Sequence, residues 1–182
     1  MDITLAESIS AIGAAEWDGL CAQGPSRPRD PFTTHRFLAA LEVSGSVGPG
    51  TGWEPRHLTI RQDERLLAAM PLYVKSHSQG EYIFDHAFAE AWQRAGGRYY
   101  PKLQSAVPFT PATGPRLLGA VELRPILLRA LREVTDSNNL SSAHVTFCTA
   151  DEAALGIDEG WLHRITQQFH WEDEGYGDFD GF

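Results

Sequence analysis

The sequence predicts a mixed α/β (α+β) domain, with a central sheet flanked by helices. Three observations carry that prediction. Stretches with apolar residues every three to four positions alternate with stretches that alternate every second position, the signatures of amphipathic helices and half-buried strands. Helices are interleaved with a hairpin, which implies a mixed sheet and not a purely parallel one. The 182 residues, 42% of them hydrophobic, suffice for one core, and neither an internal repeat nor a low-complexity linker divides them.

In chain order, a short alternating run around Ile3 and Leu5 opens the domain as a strand. A helix follows in which Ser10, Ile12, Trp17, Leu20 and Cys21 fall near a 3.6-residue period, and Gly24-Pro25 stops it. PSRPRDPF reads as a loop. In TTHRFLAALEVSG, Thr33 or Thr34 supplies an N-cap, Phe37, Leu38 and Leu41 share a side, and Gly45 terminates the helix. After the flexible SVGPGTGW, two strands, EPRHLTIRQD and RLLAAMPLYVKSH, meet at a tight QDER turn. The second is the more continuously apolar, as a central strand is. GEYIFDHAFAEAWQRAG reads as a helix closed by Gly96-Gly97, with Asp85 a candidate cap. ELRPILLRALREVTDSNN is a third strong helix, with Leu127, Leu131 and Val134 on one face and Asn138-Asn139 at its end. SSAHVTFC is a strand and TADEAAL a short helix with a capping-box pattern from Thr149 to Glu152. GWLHRITQQFHWED is a final strand weighted by Leu162, Ile165, Phe169 and Trp171.

Composition narrows the function. A formal net charge of −9 opposes a large nucleic-acid footprint, which needs clustered Lys and Arg to displace counterions. Glu172, Asp173, Glu174, Asp178 and Asp180 gather near the C-terminus without a Lys or Arg, and read as a solvated acidic tail. No apolar run approaches the roughly 18–20 residues that cross a bilayer, and the N-terminus lacks the basic start of a signal peptide. Cys21 and Cys148, far apart, give no disulfide framework, so a reducing cytoplasm is the expected compartment. No Gly-x-Ser-x-Gly, P-loop or Cys-x-x-Cys pattern supports a hydrolase, an NTPase or a zinc ribbon.

The most unusual stretch is RYYPKLQSAVPFTPATGPRLLG, from Arg98 to Gly119. Pro101, Pro108, Pro111 and Pro115 each fix φ and remove a donor, which holds the chain extended and kinked. Thr110, Thr113 and Gly114 add hydrogen-bonding groups and a permissive backbone. Such a loop is rigid at low entropic cost and suits a preorganised pocket wall, or else simply closes over the core. It leads into the helix at Pro125, whose open N–H groups can receive an anion.

GEYIFDHAFAEAW, YYPKLQSAVPFTPATGPRLL and QQFHW together resemble a family of N-acyltransferases associated with peptidoglycan biosynthesis and recognition, distant relatives of the Fem aminoacyltransferases. The resemblance runs from about Pro31 to the C-terminus. The order of elements is also that of a GCN5-related N-acyltransferase (GNAT), so the resemblance implies a GNAT-like acyl-CoA N-acyltransferase fold, one domain over 1–182. Members of that family have two acyltransferase-like halves and run past this motif into a basic helix, whereas this chain stops at DFDGF. The resemblance therefore implies an N-terminal half, with the missing C-terminal half or a second copy as partner. It also implies a small-molecule acyl donor, acyl-CoA or another acyl carrier used as co-substrate, and an amine acceptor, with no tightly bound cofactor. In such folds the junction between the loop and the following helix holds the donor's pantetheine and phosphates. The usual acetyl-CoA loop, Gln/Arg-x-x-Gly-x-Gly/Ala, is absent, because TGPRLLGA sets bulky residues between Gly114 and Gly119. That departure puts acetyl-CoA itself in doubt as the donor.

Direct attack by an amine needs a base for its proton and often a phenol to protonate the departing thiolate. Tyr99 and Tyr100 are candidates for that phenol, or else pack with satisfied hydroxyls. His86 and Glu90 stand one helical turn apart and form either a general-base pair near substrate, with Glu90 catalytic, or an ordinary surface pair. No third ligand stands near them, so no metal site is expected. Lys102 and Arg116 are candidates for phosphate or carboxylate partners, and Gln104, Thr110, Thr113 and Gly114 for donor contacts. His170 shares a strand face with Gln168, opposite Gln167, Phe169 and Trp171, and could face a missing half. Cys148 reads as core. Two functions lead, half of an N-acyltransferase or a binding and scaffold module of the same descent, with binding of an aminoacyl-tRNA a further alternative that the acidic surface opposes. A catalytic half requires a polar cleft behind the proline loop, whereas a scaffold has that space filled by Tyr99, Tyr100, Phe109 and Leu117.

Overall fold

Each of the two long strands expected between residues 54 and 77 creases into two, and the crease sets the architecture. The computed structural model describes residues 1–21 and 30–181; the expected helix stop at Gly24-Pro25 and most of the PSRPRDPF loop lie outside them. The first long run gives β2 (Trp53–Pro55) and β3 (His57–Gln62), and the second gives β4 (Arg65–Met70) and β5 (Tyr73–Lys75). With β1 (Asp2–Ala6), β6 (Lys102–Ser105), β7 (Leu118–Gly119) and β8 (Ala143–Val145), they form two four-stranded sheets, ordered β1-β3-β4-β7 and β2-β5-β6-β8. Both runs cross from one sheet to the other at the same place.

The crease has a chemical cause. Pro71 has no N–H for a ladder. Arg56 N–H bonds to the Leu72 carbonyl at 2.8 Å, and Leu72 N–H donates to Nδ1 of His57 at 3.3 Å. His57 is fully buried, and with Nδ1 accepting, its Nε2–H donates to Glu42 at 3.2 Å. A side chain thus satisfies the backbone group that the crease strands.

The helices divide between the two faces. On one side lie α1 (Ala14–Cys21) and α2 (His35–Val43), whose Trp17, Leu20 and Leu38 pack with Ile9, Ala69 and Leu118. On the other lies α4 (Arg124–Ser137), whose Leu127, Leu128 and Leu131 meet Leu58, Ile60 and Met70. Each buried Leu contributes about 1.5–3 kcal/mol of transfer free energy. A register shift between Ile60 and Arg61 leaves Leu67 unpaired on β4, which turns Leu66 to the α1 face although Ala68 and Met70 face α4.

Local signals behave as their chemistry predicts. Thr34 caps α2 by accepting from Phe37 N–H, and Gly45 follows at φ 72°. Asp63 and Glu64 take positive φ in the β3–β4 turn. The capping box of Thr149 and Glu152 opens α5 (Ala150–Asp158). Two expectations need correction. The helix foreseen from Gly80 is confined to α3 (His86–Arg94), because residues 78–85 turn inward to carry Glu81 and Asp85 into the interior. The final strand does not form: residues 161–177 join no sheet, and Leu162, Ile165 and Phe169 stand exposed. No helix is long and apolar enough to cross a membrane, among the described residues.

Candidate functional site

Two polar assemblies and a cavity lie around the second sheet. The first assembly centres on Lys102 at the start of β6. Its ammonium donates to Glu81 Oε2 and Asp85 Oδ2, both at 2.8 Å, and to Ser78 Oγ at 3.1 Å, wholly out of solvent. Tyr99 OH donates to Asp85 Oδ2 at 2.6 Å, and Tyr100 OH and Ser78 Oγ share a hydrogen at 2.6 Å. Lys75, also fully buried, lies over the Trp53 ring at 3.5 Å and 3.9 Å from Glu81. Burial pushes Lys75 down to about 7 and pushes Glu81 up, each against the attraction of its partners. Burial also opposes the charge on Asp85, but hydrogen bonds from Lys102, Tyr99 and Ser78 outweigh it and hold that carboxyl down at about 2. The fixed ion pair is therefore Lys102 with Asp85, while Lys75 and Glu81 are both biased towards neutrality.

The second assembly is the proline loop between β6 and β7. The Arg116 guanidinium is completely buried and donates to the carbonyls of Thr146 (3.0 Å), Pro115 (3.1 Å) and Ala112 (2.8 Å). The Glu152 carboxylate accepts from the N–H groups of Arg116 (3.0 Å) and Leu117 (2.9 Å), tying the loop to the first turn of α5. Gly114 leaves no room for a side chain, since a Cβ there would meet Asp30 Oδ2 at 2.4 Å. Gln104 donates to Thr146 Oγ1 at 2.7 Å, while Gln104 Oε1 and Ser105 Oγ are buried without a partner among the described residues.

The cavity, about 790 Å³, lies between the outer edge of β8, helix α5 and the segment 161–170. That volume matches a small-molecule site. The segment arches over it like a strap. Arg164 reaches the Ile83 carbonyl at 3.5 Å and sits 5.0 Å from the Phe88 ring, and Gln168 donates to the Pro111 carbonyl at 2.6 Å. Arg164, Thr166, Gln168 and His170 face the cavity, while Ile165 and Phe169 point to solvent. The period of two foreseen in QQFHW is present without any ladder. His144 and Thr146 line the floor. Burial and the charge on Lys102 hold His144 at about 4, so its ring is neutral near pH 7, with Nε2 at 2.9 Å from Ser142 Oγ.

The structure sorts the residues singled out in the sequence. It gathers Tyr99, Tyr100 and Lys102 in one buried cluster, where both phenols and the ammonium are bound to neighbours and not turned to the cavity. Arg116 is committed to its own loop, Gly114 lies against Asp30, and Thr110 Oγ1 donates to the Pro108 carbonyl at 3.1 Å. Thr113 and His170 line the cavity, and Gln104 supports it through Thr146. His86 and Glu90 are exposed on α3, outside the cavity lining. Asp85 stands at the helix start but makes no cap, because its carboxylate is turned to Lys102. Cys148 lines the cavity half-buried, where burial raises its thiol, so it is not the core residue expected. Leu117 and the tyrosines leave the space behind the loop open, and Phe109 leans outward against Trp53. His144, Thr146, Trp161 and Arg164 were missed. The alternation in AHVTFC already set His144, Thr146 and Cys148 on one side of the strand. No cluster of three metal-ligating His, Cys, Asp or Glu exists among the described residues.

Comparison with known proteins bears on the fold and the family. No curated protein matches the chain. A ribosomal-protein-alanine N-acetyltransferase from Brucella melitensis biovar Abortus 2308 is similar in fold, with a TM-score of 0.50, 14% identity, and cover of 94% of this chain and 99% of that one. A mutant of the Thermus thermophilus protein TTHA1254 aligns with a TM-score of 0.47 and 11% identity, over 96% of this chain and 99% of that one. The fold is thus that of the GNAT-like acetyltransferases. A family model for peptidoglycan biosynthesis/recognition matches residues 8–182, almost the whole chain, and the protein belongs to this FemAB-like family.

Proposed function

We propose that the protein transfers an acyl or aminoacyl group from an activated carrier to an amine, as one half of an enzyme completed by a further domain or a second copy. One observation supports this most directly. The proline loop and the cavity meet at the carboxyl ends of β6 and β8, the only parallel pair among the described strands. Ligands of α/β sheets gather outside the carboxyl ends of parallel strands. Arg124, in the first turn of α4, donates to Asp151 at 3.1 Å, and we assign the open N–H groups of that turn to a carrier phosphate. Lys102 and Arg116 are engaged elsewhere, which leaves the loop to act through shape and backbone groups.

In the reaction the acceptor nitrogen attacks the carbonyl carbon of a thioester or ester. A C–N bond forms, backbone N–H groups hold the oxyanion, and the C–S or C–O bond breaks as the leaving group takes up a proton. His144, neutral near pH 7, lines the cavity as a hydrogen-bonding partner for the acceptor amine, whose proton passes to the leaving group. Cys21 and Cys148 are thiols and not a disulfide, which suits a reducing compartment, and we assign the activity to the cytoplasm. A thermal-shift series with coenzyme A, acetyl-CoA and a long-chain acyl-CoA tests the reading. A ligand at 100 times its Kd stabilises the fold by about 2.7 kcal/mol. A shift that Arg124→Ala removes supports transfer. No shift, even when the chain is extended beyond Phe182, favours a binding module.

A further inference from the structure

We propose that the slot between β8 and the strap takes a short extended peptide bearing a carboxylate, which adds as a strand to the free edge of β8. The proposal rests on the transfer reading only for the view that such a peptide is the acceptor.

The first ground is backbone chemistry. Leu103 N–H bonds to the Ser142 carbonyl and Thr146 N–H to the Ser105 carbonyl. In a parallel ladder the residues between, Ala143 and Val145, aim their own N–H and C=O away from β6. Both line the cavity. They offer hydrogen bonds along about 10 Å of strand, enough for three or four peptide residues.

The second ground is the character of this edge. Sheet edges are normally blunted by charge, proline or extreme shortness. The β1 edge carries Asp2, β7 is two residues long, and β2 carries Glu54 and Pro55. By contrast, β8 reads Ala-His-Val and has neither charge nor proline. It is shielded only by the strap, whose side-chain hydrogen bonds to Ile83 and Pro111 span the slot without a backbone ladder to β8.

The third ground is the lining and its charge. The ring of Trp161 closes one end of the lining and packs against Arg132, 5.4 Å from its guanidinium. In a chain of net charge −9, the cavity lining carries the Arg164 guanidinium, with His163 and His170 as further hydrogen-bonding groups. The carboxylate in its lining, Glu152, is turned to the backbone N–H groups of Arg116, Leu117 and Thr149. That balance favours a peptide carboxylate. Strand addition with pockets for alternate side chains is an established mode of peptide capture.

Amide exchange read by NMR on the labelled full chain tests this directly. The probe is acetyl-Val-Thr-Val-Glu with a free carboxylate, and its controls are the C-terminal amide and a form N-methylated at alternate amides. Exchange at Ala143 and Val145 N–H should slow at least tenfold with the probe, while His144 N–H, already paired to β6, stays unchanged. The amide form should bind several-fold more weakly, and the N-methylated form should give no slowing. Ala153→Trp, which fills the slot from α5, should abolish the effect. Should that variant fold poorly, the N-methylated control still decides the question. Slowing that is absent, or equal with the N-methylated form, overturns the proposal. So does slowing that rises with protein concentration without peptide, which would mark a second copy as the occupant. Protection of strap amides without peptide also overturns it, by making the strap itself the missing strand. Slowing by peptide with no response to any acyl carrier supports the slot and removes the transfer reading. An acyl-carrier response without peptide slowing does the reverse.

Discussion

The cluster around Lys102 and the cavity beneath the strap lie on the same sheet but use polar groups in opposite ways. In the cluster, the Lys102 ammonium, both tyrosine hydroxyls and one oxygen each of Glu81 and Asp85 are bound to one another out of water. Glu81 Oε1 and Asp85 Oδ1 are sealed in that cluster without a hydrogen-bond partner among the described residues. Along the slot, by contrast, the outer backbone of Ala143 and Val145 is unpaired among the described residues and lines the cavity. The residues most conspicuous in the sequence belong to the first region, and those available to a ligand belong to the second. A polar group indicates function by what it leaves open to a ligand, not by its chemical type alone.

Mutation should separate the regions sharply. Lys102→Met leaves the Asp85 carboxylate buried without its cation and the Glu81 carboxyl without a donor, and should cost about 3–5 kcal/mol in chemical denaturation. A loss under about 1 kcal/mol would show that the cluster admits water and that the contrast is false.

Acid should separate them next, in two windows. Burial and the charge on Lys102 hold folded His144 at about 4, against 6.5 in the unfolded chain. The unfolded state therefore takes up that proton first, so this stability is complete above pH 6.5 and lost between 6.5 and 4, about 3 kcal/mol in all. Asp85 lies at about 2 against 3.8, because the hydrogen bonds it accepts outweigh its burial. Its contribution is present above pH 3.8 and lost between 3.8 and 2, about 2 kcal/mol. His144→Gln should shrink the upper window to the share left by buried His57, and Asp85→Asn should shrink the lower one, as read by Tm against pH. One variant that shrank both would merge the two regions electrostatically.

The smallest effect is expected at the strap. Gln168→Ala removes an exposed side-chain hydrogen bond to Pro111 and should change Tm by the equivalent of less than about 0.5 kcal/mol. It should nevertheless raise the backbone mobility of residues 162–170, read by NMR relaxation. A large loss of Tm would mean that the strap is built into the fold and does not merely lie across it.

Much of the fold was legible because its signals are local. Thr34, Gly45, Gly96 and the Thr149–Glu152 box mark helix ends within a few residues of what they cap. The crease was not legible, because EPRHLTIRQD and RLLAAMPLYVKSH keep an unbroken strand-like pattern through Arg56 and Pro71. Only the meeting of the two runs makes a break there tolerable. The ion cluster was hidden for a related reason. Lys75, Glu81, Asp85 and Lys102 are scattered, and a charged residue read singly defaults to solvent. A lysine closing the apolar run LYVK was the available hint that a buried carboxylate had to exist. The strap shows the converse. Its two-residue period is real, but alternation reports an extended backbone and says nothing of whether a neighbour pairs with it.

The crease also bears on how the molecule comes apart. Two covalent runs pass through both sheets, so neither sheet can lose its central strands without pulling on the other. The Arg56–Leu72 hydrogen bond and His57 clamp the point of transfer. Heat should find no line along which to peel one sheet away first. Trp17, packed with the helices on the first sheet, and Trp53, on an edge strand of the second, should therefore lose their native fluorescence in a single transition. A protein that looks assembled from two pieces would then melt as one.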